Sequence, residues 1–287
     1  MKQLLFIVCA TMLLFPFCNQ KEVRGENTHP ATDTVQTGHA ATKTPLRITY
    51  HIDSLKDKEL LAAFKQQYTP EQLHIIGALN RIDTQRIRVG SVVAVPDTFL
   101  SSFIEYSPFP EQLDLPDTLQ NTEKIILIAK RLQLFAAYEN GSIVRFGPVS
   151  SGKKSTPTPS RLYYTNFKAK LKISTVNGSW RMPWYFNISN HGGIGLHEYQ
   201  MPGYPASHSC IRLYKADAIW IYNWAKNWVL TADGQQILQH GTPVIIFGEY
   251  DFDAAAPWKA AADNPDILQI TTAEWSELKD RLAAIQP

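Results

Sequence analysis

His197-Glu-Tyr-Gln-Met-Pro-Gly-Tyr-Pro-Ala-Ser207-His208-Ser209-Cys210-Ile-Arg212-Leu213 is the stretch on which the reading of this chain turns. It holds the only cysteine beyond residue 18, together with two histidines and an arginine. A thiol is a good nucleophile as thiolate, and a nearby cation or a base that takes its proton brings it to that state. Pro202, Gly203 and Pro205 shape a tight loop between His197 and the Ser-His-Ser-Cys element. A cysteine alone is more often a small buried hydrophobe, but His208 and Arg212 are poor company for a core residue. The segment points to cysteine acyl transfer on Cys210.

Working outward, His197 follows the short apolar strand expected over 193–196, whereas the rival base His191 lies in the turn before it. An imidazole at a strand end facing the loop is better placed for proton transfer, so His197 is preferred. Trp180, Met182, Trp184, Tyr185 and Phe186 precede it; such a cluster either walls a substrate groove, with Tyr185 as a binding candidate, or packs as core. Further strands are expected over 124–129, 132–138, 142–146, 162–165 and 244–247, and Asn140-Gly141 marks a hairpin. A helix is expected over 215–228, with Trp220, Trp224 and Trp228 on its core stripe. Thr271 and Glu274 open a last helix with a capping box, and Trp275, Leu278, Leu282 and Ile285 form its apolar face. The fold class is mainly β with short helices (α+β).

With 287 residues and 44% hydrophobic content the chain can build one large domain or two smaller ones. A formal charge of +2 and the lack of a basic run interleaved with aromatics argue against nucleic acid. Three cysteines so far apart supply no zinc site, and neither a metal nor another cofactor is expected.

Residues 1–18 read as a signal peptide: Lys2 is the charged start and 4–17 an apolar run too short to span a bilayer. The run ends on Cys18 and turns polar at once, the pattern of a lipoprotein signal with Cys18 as the lipidated residue. The expected location is the bacterial cell envelope, periplasmic and membrane-anchored. Cys210 would then be the one free thiol of an exported protein, a liability unless used. Residues 19–45 read as a flexible tether and 101–123 as a proline-punctuated linker. Between them, 46–100 read as strand, two short helices and strand, and 251–287 as a helical tail.

The run Pro205-Ala-Ser-His-Ser-Cys-Ile-Arg-Leu213 resembles the signature of the L,D-transpeptidase (YkuD) family: a His, a loop, then Ser-His-Gly-Cys followed by Arg or Asn. The resemblance covers roughly 124–250 and implies a β-sandwich-like catalytic domain. It makes Cys210 the nucleophile and His197 the base, with Ser207, His208 and Ser209 as the residues before the cysteine. Arg212 would hold substrate, and the Glu198 carbonyl would orient His197. Ser155-Thr-Pro-Thr-Pro159 resembles a family turn, and Gly241-Thr-Pro-Val-Ile-Ile246 its closing strand. Peptidoglycan stem peptides would be the substrate. The chain departs at Ser209 and Glu198, where the family often has glycine; a glycine before the cysteine supplies positive φ or close backbone approach. Two alternatives share the residues: a hydrolytic variant that gives the same thioester to water, and a catalytically degenerate wall-binding lipoprotein. Residues 46–100, with Ala78-Leu-Asn80 before Arg88-Val-Gly-Ser-Val-Val-Ala-Val-Pro96, resemble a LysM glycan-binding module. His51-Ile-Asp-Ser stands where that module carries Gly-Asp-Thr. A small packing subdomain without ligand fits the same pattern.

Overall fold

The computed structural model describes residues 48–115, 119 and 122–285; the expected signal peptide, Cys18 and the tether lie outside them. Four elements come first: β1 (Tyr50–Leu55), α1 (Lys58–Gln67), α2 (Pro70–Leu79) and β2 (Ser91–Pro96). Local chemistry starts both helices. The Asp57 carboxylate accepts from Leu60 N–H, and Thr69 and Gln72 form a reciprocal capping box with Pro70 in the first turn. β1 and β2 pair antiparallel from Tyr50 opposite Pro96 to Leu55 opposite Ser91. The buried Asn80 ties α2 to β2: its amide donates to Ala94 O at 2.7 Å and its oxygen accepts from Ala94 N–H at 2.9 Å.

β3 (Lys124–Ala129), β4 (Leu134–Glu139), β5 (Ser142–Ser150), β6 (Arg161–Tyr164), β7 (Lys168–Ile173), β8 (Arg181–Ser189), β9 (Ile194–Glu198) and β10 (Ile211–Leu213) follow. Then come α3 (Lys215–Trp224), β11 (Val229–Leu230), β12 (Ile237–Gln239), β13 (Pro243–Phe247), α4 (Pro257–Ala260) and α5 (Thr272–Ala283). Where the resemblance implies a β-sandwich-like domain, one nine-stranded sheet runs β6-β13-β3-β4-β5-β10-β9-β8-β7. β13 pairs parallel with β3, and β10 parallel with β9. Its ends curl toward each other, so that Ile126 and Val244 share one core with Phe186, Ile188 and Leu196. That closure gives a single sheet the sandwich-like section the sequence suggested. Asn140 and Gly141 both take positive φ, 49° and 78°, in the β4–β5 hairpin.

β3 divides its side chains between two cores. Ile126 and Ile128 face the curled interior, while Ile125, Leu127 and Ala129 face a second core with Leu278, Leu282 and Ile285 of the tail. The tail is also tied by charge: Arg131 Nη2 donates to the Glu274 carboxylate at 2.7 Å. The expected linker corrects to core-forming chain, since Tyr106, Phe109, Leu113 and Leu119 are all buried in this second core. Proline punctuation there marks irregular backbone, not detachment. The helix expected to reach 228 stops at Trp224, where Ala225 turns extended at ψ 149°.

Candidate active site

The site grows from the parallel pairing of β9 and β10, where Ile211 lies opposite Leu196 and Arg212 opposite His197. Ile194, Leu196, Ile211 and Leu213 point into the curled core. Alternation along the strands therefore sends Gly195, His197, Cys210 and Arg212 to the opposite face, where all but Gly195 line a cavity of about 390 Å³. His197 is a correction in detail: it lies inside β9, not just after it. The rival His191 is exposed in the preceding turn.

The His197 ring is buried, and its Nδ1 lies 2.8 Å from Glu198 O. A carbonyl only accepts, so Nδ1 carries the proton and Nε2 is left as the basic nitrogen. Burial pushes this imidazole down to about 4, with the Arg212 charge acting the same way and the Glu198 hydrogen bond opposing. Burial raises the Cys210 thiol above its ordinary value, opposed by a hydrogen bond from the Gly195 backbone and by the Arg212 charge. At neutral pH the pair thus stands as thiol and neutral imidazole.

The loop around Cys210 is fixed from three sides. The buried Ser207 donates its hydroxyl to Cys210 O. Ser209 has a φ of +72°, the conformation a glycine would adopt freely. Its hydroxyl donates to Pro157 O at 3.0 Å and Thr156 O at 3.2 Å. Thr158, of the same 155–159 turn, donates to Ser209 O at 2.8 Å. These three contacts hold a non-glycine residue where the backbone needs positive φ.

Arg212 spends two donors on the loop: Nη1 to Gln200 O at 3.3 Å and Nη2 to Ala206 O at 2.9 Å. Its guanidinium lies 4.6 Å from the Tyr199 ring centroid and also lines the cavity. Glu198 contributes its carbonyl and is not among the lining residues. His208 is exposed, with its ring 4.4 Å from that of Trp180.

The aromatic cluster divides between the two readings. Trp184 and Phe186 pack on the curled core, whereas Trp180, Met182 and Tyr185 line the cavity. The face switches at Trp184, whose φ is +53°: Met182 before it and Tyr185 after it both reach the cavity. Tyr185 packs over Gly195, where a Cβ would stand 2.3 Å from its ring. Its hydroxyl accepts from the Asn187 amide at 2.9 Å, and burial pushes it up to about 12. Sequence reasoning missed the hairpin of β7 and β8, which brings Lys172 and Val176 to the cavity. The Lys-Ala-Lys-Leu-Lys alternation of 168–172 was the available signal. Among the described residues no group of three His, Cys, Asp or Glu could hold a metal ion.

A buried imidazole with a fixed tautomer and a free thiol thus line one cavity. Residues 123–246 match the family model of the L,D-transpeptidase catalytic domain, YkuD. The match begins at 123, so the LysM resemblance of 46–100 gains no support from it. No curated protein matches the chain. Among solved structures, an L,D-transpeptidase of Stackebrandtia nassauensis is 21% identical with a TM-score of 0.36, over 45% of this chain and 57% of that one. One from Mycobacterium smegmatis is 19% identical with a TM-score of 0.35, over 44% and 59%. One from Xylanimonas cellulosilytica is 23% identical with a TM-score of 0.41, over 69% and 98%. The chain spans less than two thirds of the first two.

Proposed function

We propose that the protein is a cysteine L,D-transpeptidase acting on peptidoglycan stem peptides. The observation that carries this is the β9–β10 register, which sets Cys210 and a proton-accepting His197 on one face of one cavity. Cys210 Sγ attacks the carbonyl carbon joining the third stem residue to the terminal D-Ala, and His197 Nε2 takes the thiol proton. Because both groups start neutral, the proton moves as the bond forms. Backbone N–H groups of Ser209 and Cys210 hold the oxyanion. Collapse breaks the C–N bond, His197 returns the proton to the departing D-Ala amine, and a thioester remains. An acceptor amine then attacks the thioester and restores the thiol. Arg212 holds a stem carboxylate with the donors its loop contacts leave free. Trp180 and Tyr185 wall the groove.

In the same reading, 1–18 export the chain, Cys18 carries a lipid anchor, and the enzyme works in the cell envelope. The unit 46–100 would add glycan affinity, checked by binding to peptidoglycan freed of its stem peptides.

Incubating the protein with a stem tetrapeptide and an amine acceptor, followed by mass spectrometry, tests the reaction. Loss of D-Ala with a product joined to the acceptor is the expected result. Loss of D-Ala with only a tripeptide would make it the hydrolytic variant. No D-Ala release from the folded protein would contradict the proposal and favour the degenerate wall-binding reading.

A further inference from the structure

The loop of residues 199–206 joins His197 to the Cys210 segment, and its outer side is held by chain that the acyl-transfer reading leaves idle. The turn after α2 lays 81–83 beside it. Asp83 N–H donates to Met201 O at 2.9 Å, and Met201 N–H donates to Asp83 Oδ2 at 2.9 Å. Gly203 N–H donates to Arg81 O at 2.9 Å, and Ile82 forms an antiparallel bridge with Pro202. Gly203 has a φ of +91°, which lets the loop turn against Asn80 and Ile82. The Tyr214 hydroxyl, just beyond β10, donates to Ile82 O at 2.6 Å. Arg86 approaches the Asp83 carboxylate at 3.6 Å and donates to the Gln200 side chain.

This turn is itself anchored. Asn80 ties it to β2, and the buried Arg81 donates from Nε to Leu132 O at 2.9 Å while lying 4.6 Å from the Trp258 ring centroid. On the loop's inner side, Gln200 O and Ala206 O orient Arg212. Gln200 is the neighbour of the residue Asp83 holds by two hydrogen bonds. Asp83 itself does not line the cavity, and burial raises its carboxyl above the usual range against the Met201 N–H.

We propose that Asp83 is a positioning residue: through Met201 and Gln200 it fixes the loop carbonyls that aim Arg212 into the cavity. The βααβ unit then serves as a brace for the substrate-carboxylate site. The proposal rests on the reading of Cys210 and Arg212 given above.

The test uses the full chain with Asp83→Ala, Asp83→Asn and Arg86→Ala. Cys210 acylation is followed against concentration with a carbapenem, which carries a carboxylate, and alkylation with neutral iodoacetamide. Backbone hydrogen exchange is followed in parallel. Asp83→Ala raises the half-saturating carbapenem concentration roughly tenfold, while iodoacetamide alkylation stays within about twofold of native. Exchange speeds at Met201 and Gly203 and is unchanged in β3 and β13. Asp83→Asn keeps an acceptor for Met201 and stays within about threefold of native. Native concentration dependence with native protection at 201–203 overturns the proposal, as does an equal loss of protection everywhere. If Asp83→Ala does not fold, Arg86→Ala must show the same split in smaller measure, and its absence overturns the proposal. If the native chain is not acylated at all, the transpeptidase reading fails; selective exchange at 201–203 then still decides the brace.

Discussion

β3 and β13 at one side of the sheet and β7 and β8 at the other belong to one hydrogen-bonded structure, yet they are built on opposite terms. β3 and β13 are near-continuous apolar runs, buried on both faces because the tail and linker cover one and the curled sheet the other. β7 is an edge strand in which lysines alternate with the exposed Leu171 and Ile173. β8 keeps one face for the core and gives the other to the cavity, switching at Trp184. Burial is concentrated in the first pair. The second gives up burial where β8 borders the cavity, and β9 and β10, between the two, hold His197 and Arg212 of the candidate site.

The widest gap between the regions is expected in core truncation. Ile128→Ala should cost about 2–5 kcal/mol in denaturant unfolding, against about 0.5 kcal/mol or less for Ile173→Ala; equal costs would dissolve the contrast. Acid comes next, acting through His197. Its unfolded value is 6.5 and its folded value about 4, so the unfolded chain takes the proton first. Stability is full above about 6.5 and declines as pH falls toward 4, by about 3 kcal/mol at the bottom of that window. His197→Gln should lack this share of the acid loss, as urea unfolding at pH 7 and pH 4 would reveal. Gly195→Ala ranks third: the Tyr185 ring must move, at about 1–3 kcal/mol, and acylation of Cys210 should fall more than stability does. The smallest effect is Ser209→Gly. Relief of positive φ, about 1 kcal/mol, is set against two lost hydrogen bonds of similar size, so melting should shift little and acylation should persist.

The sequence made β3, β13 and the 197–213 segment legible for one reason: their information is local. An apolar run of Ile and Leu reads as a buried strand by itself, and Cys210, His197 and Arg212 fall within one short stretch. β7 was hidden because lysines at alternate positions read as solvated chain, and β8 because the positive φ of Trp184 breaks the period that marks a strand. The linker was misread because prolines signal irregular backbone whether or not its side chains are buried. Nothing local announces that Asp83 holds Met201, since those hydrogen bonds join residues 118 positions apart. The single curled sheet was likewise a matter of long-range pairing, β13 beside β3 above all.

The central claim is that Cys210 is an acylatable nucleophile, and intact-mass measurement after incubation with a carbapenem tests it most directly. One adduct per native chain, absent in Cys210→Ala, is the predicted result. A folded native chain without adduct, or an adduct that survives in Cys210→Ala, would contradict the account.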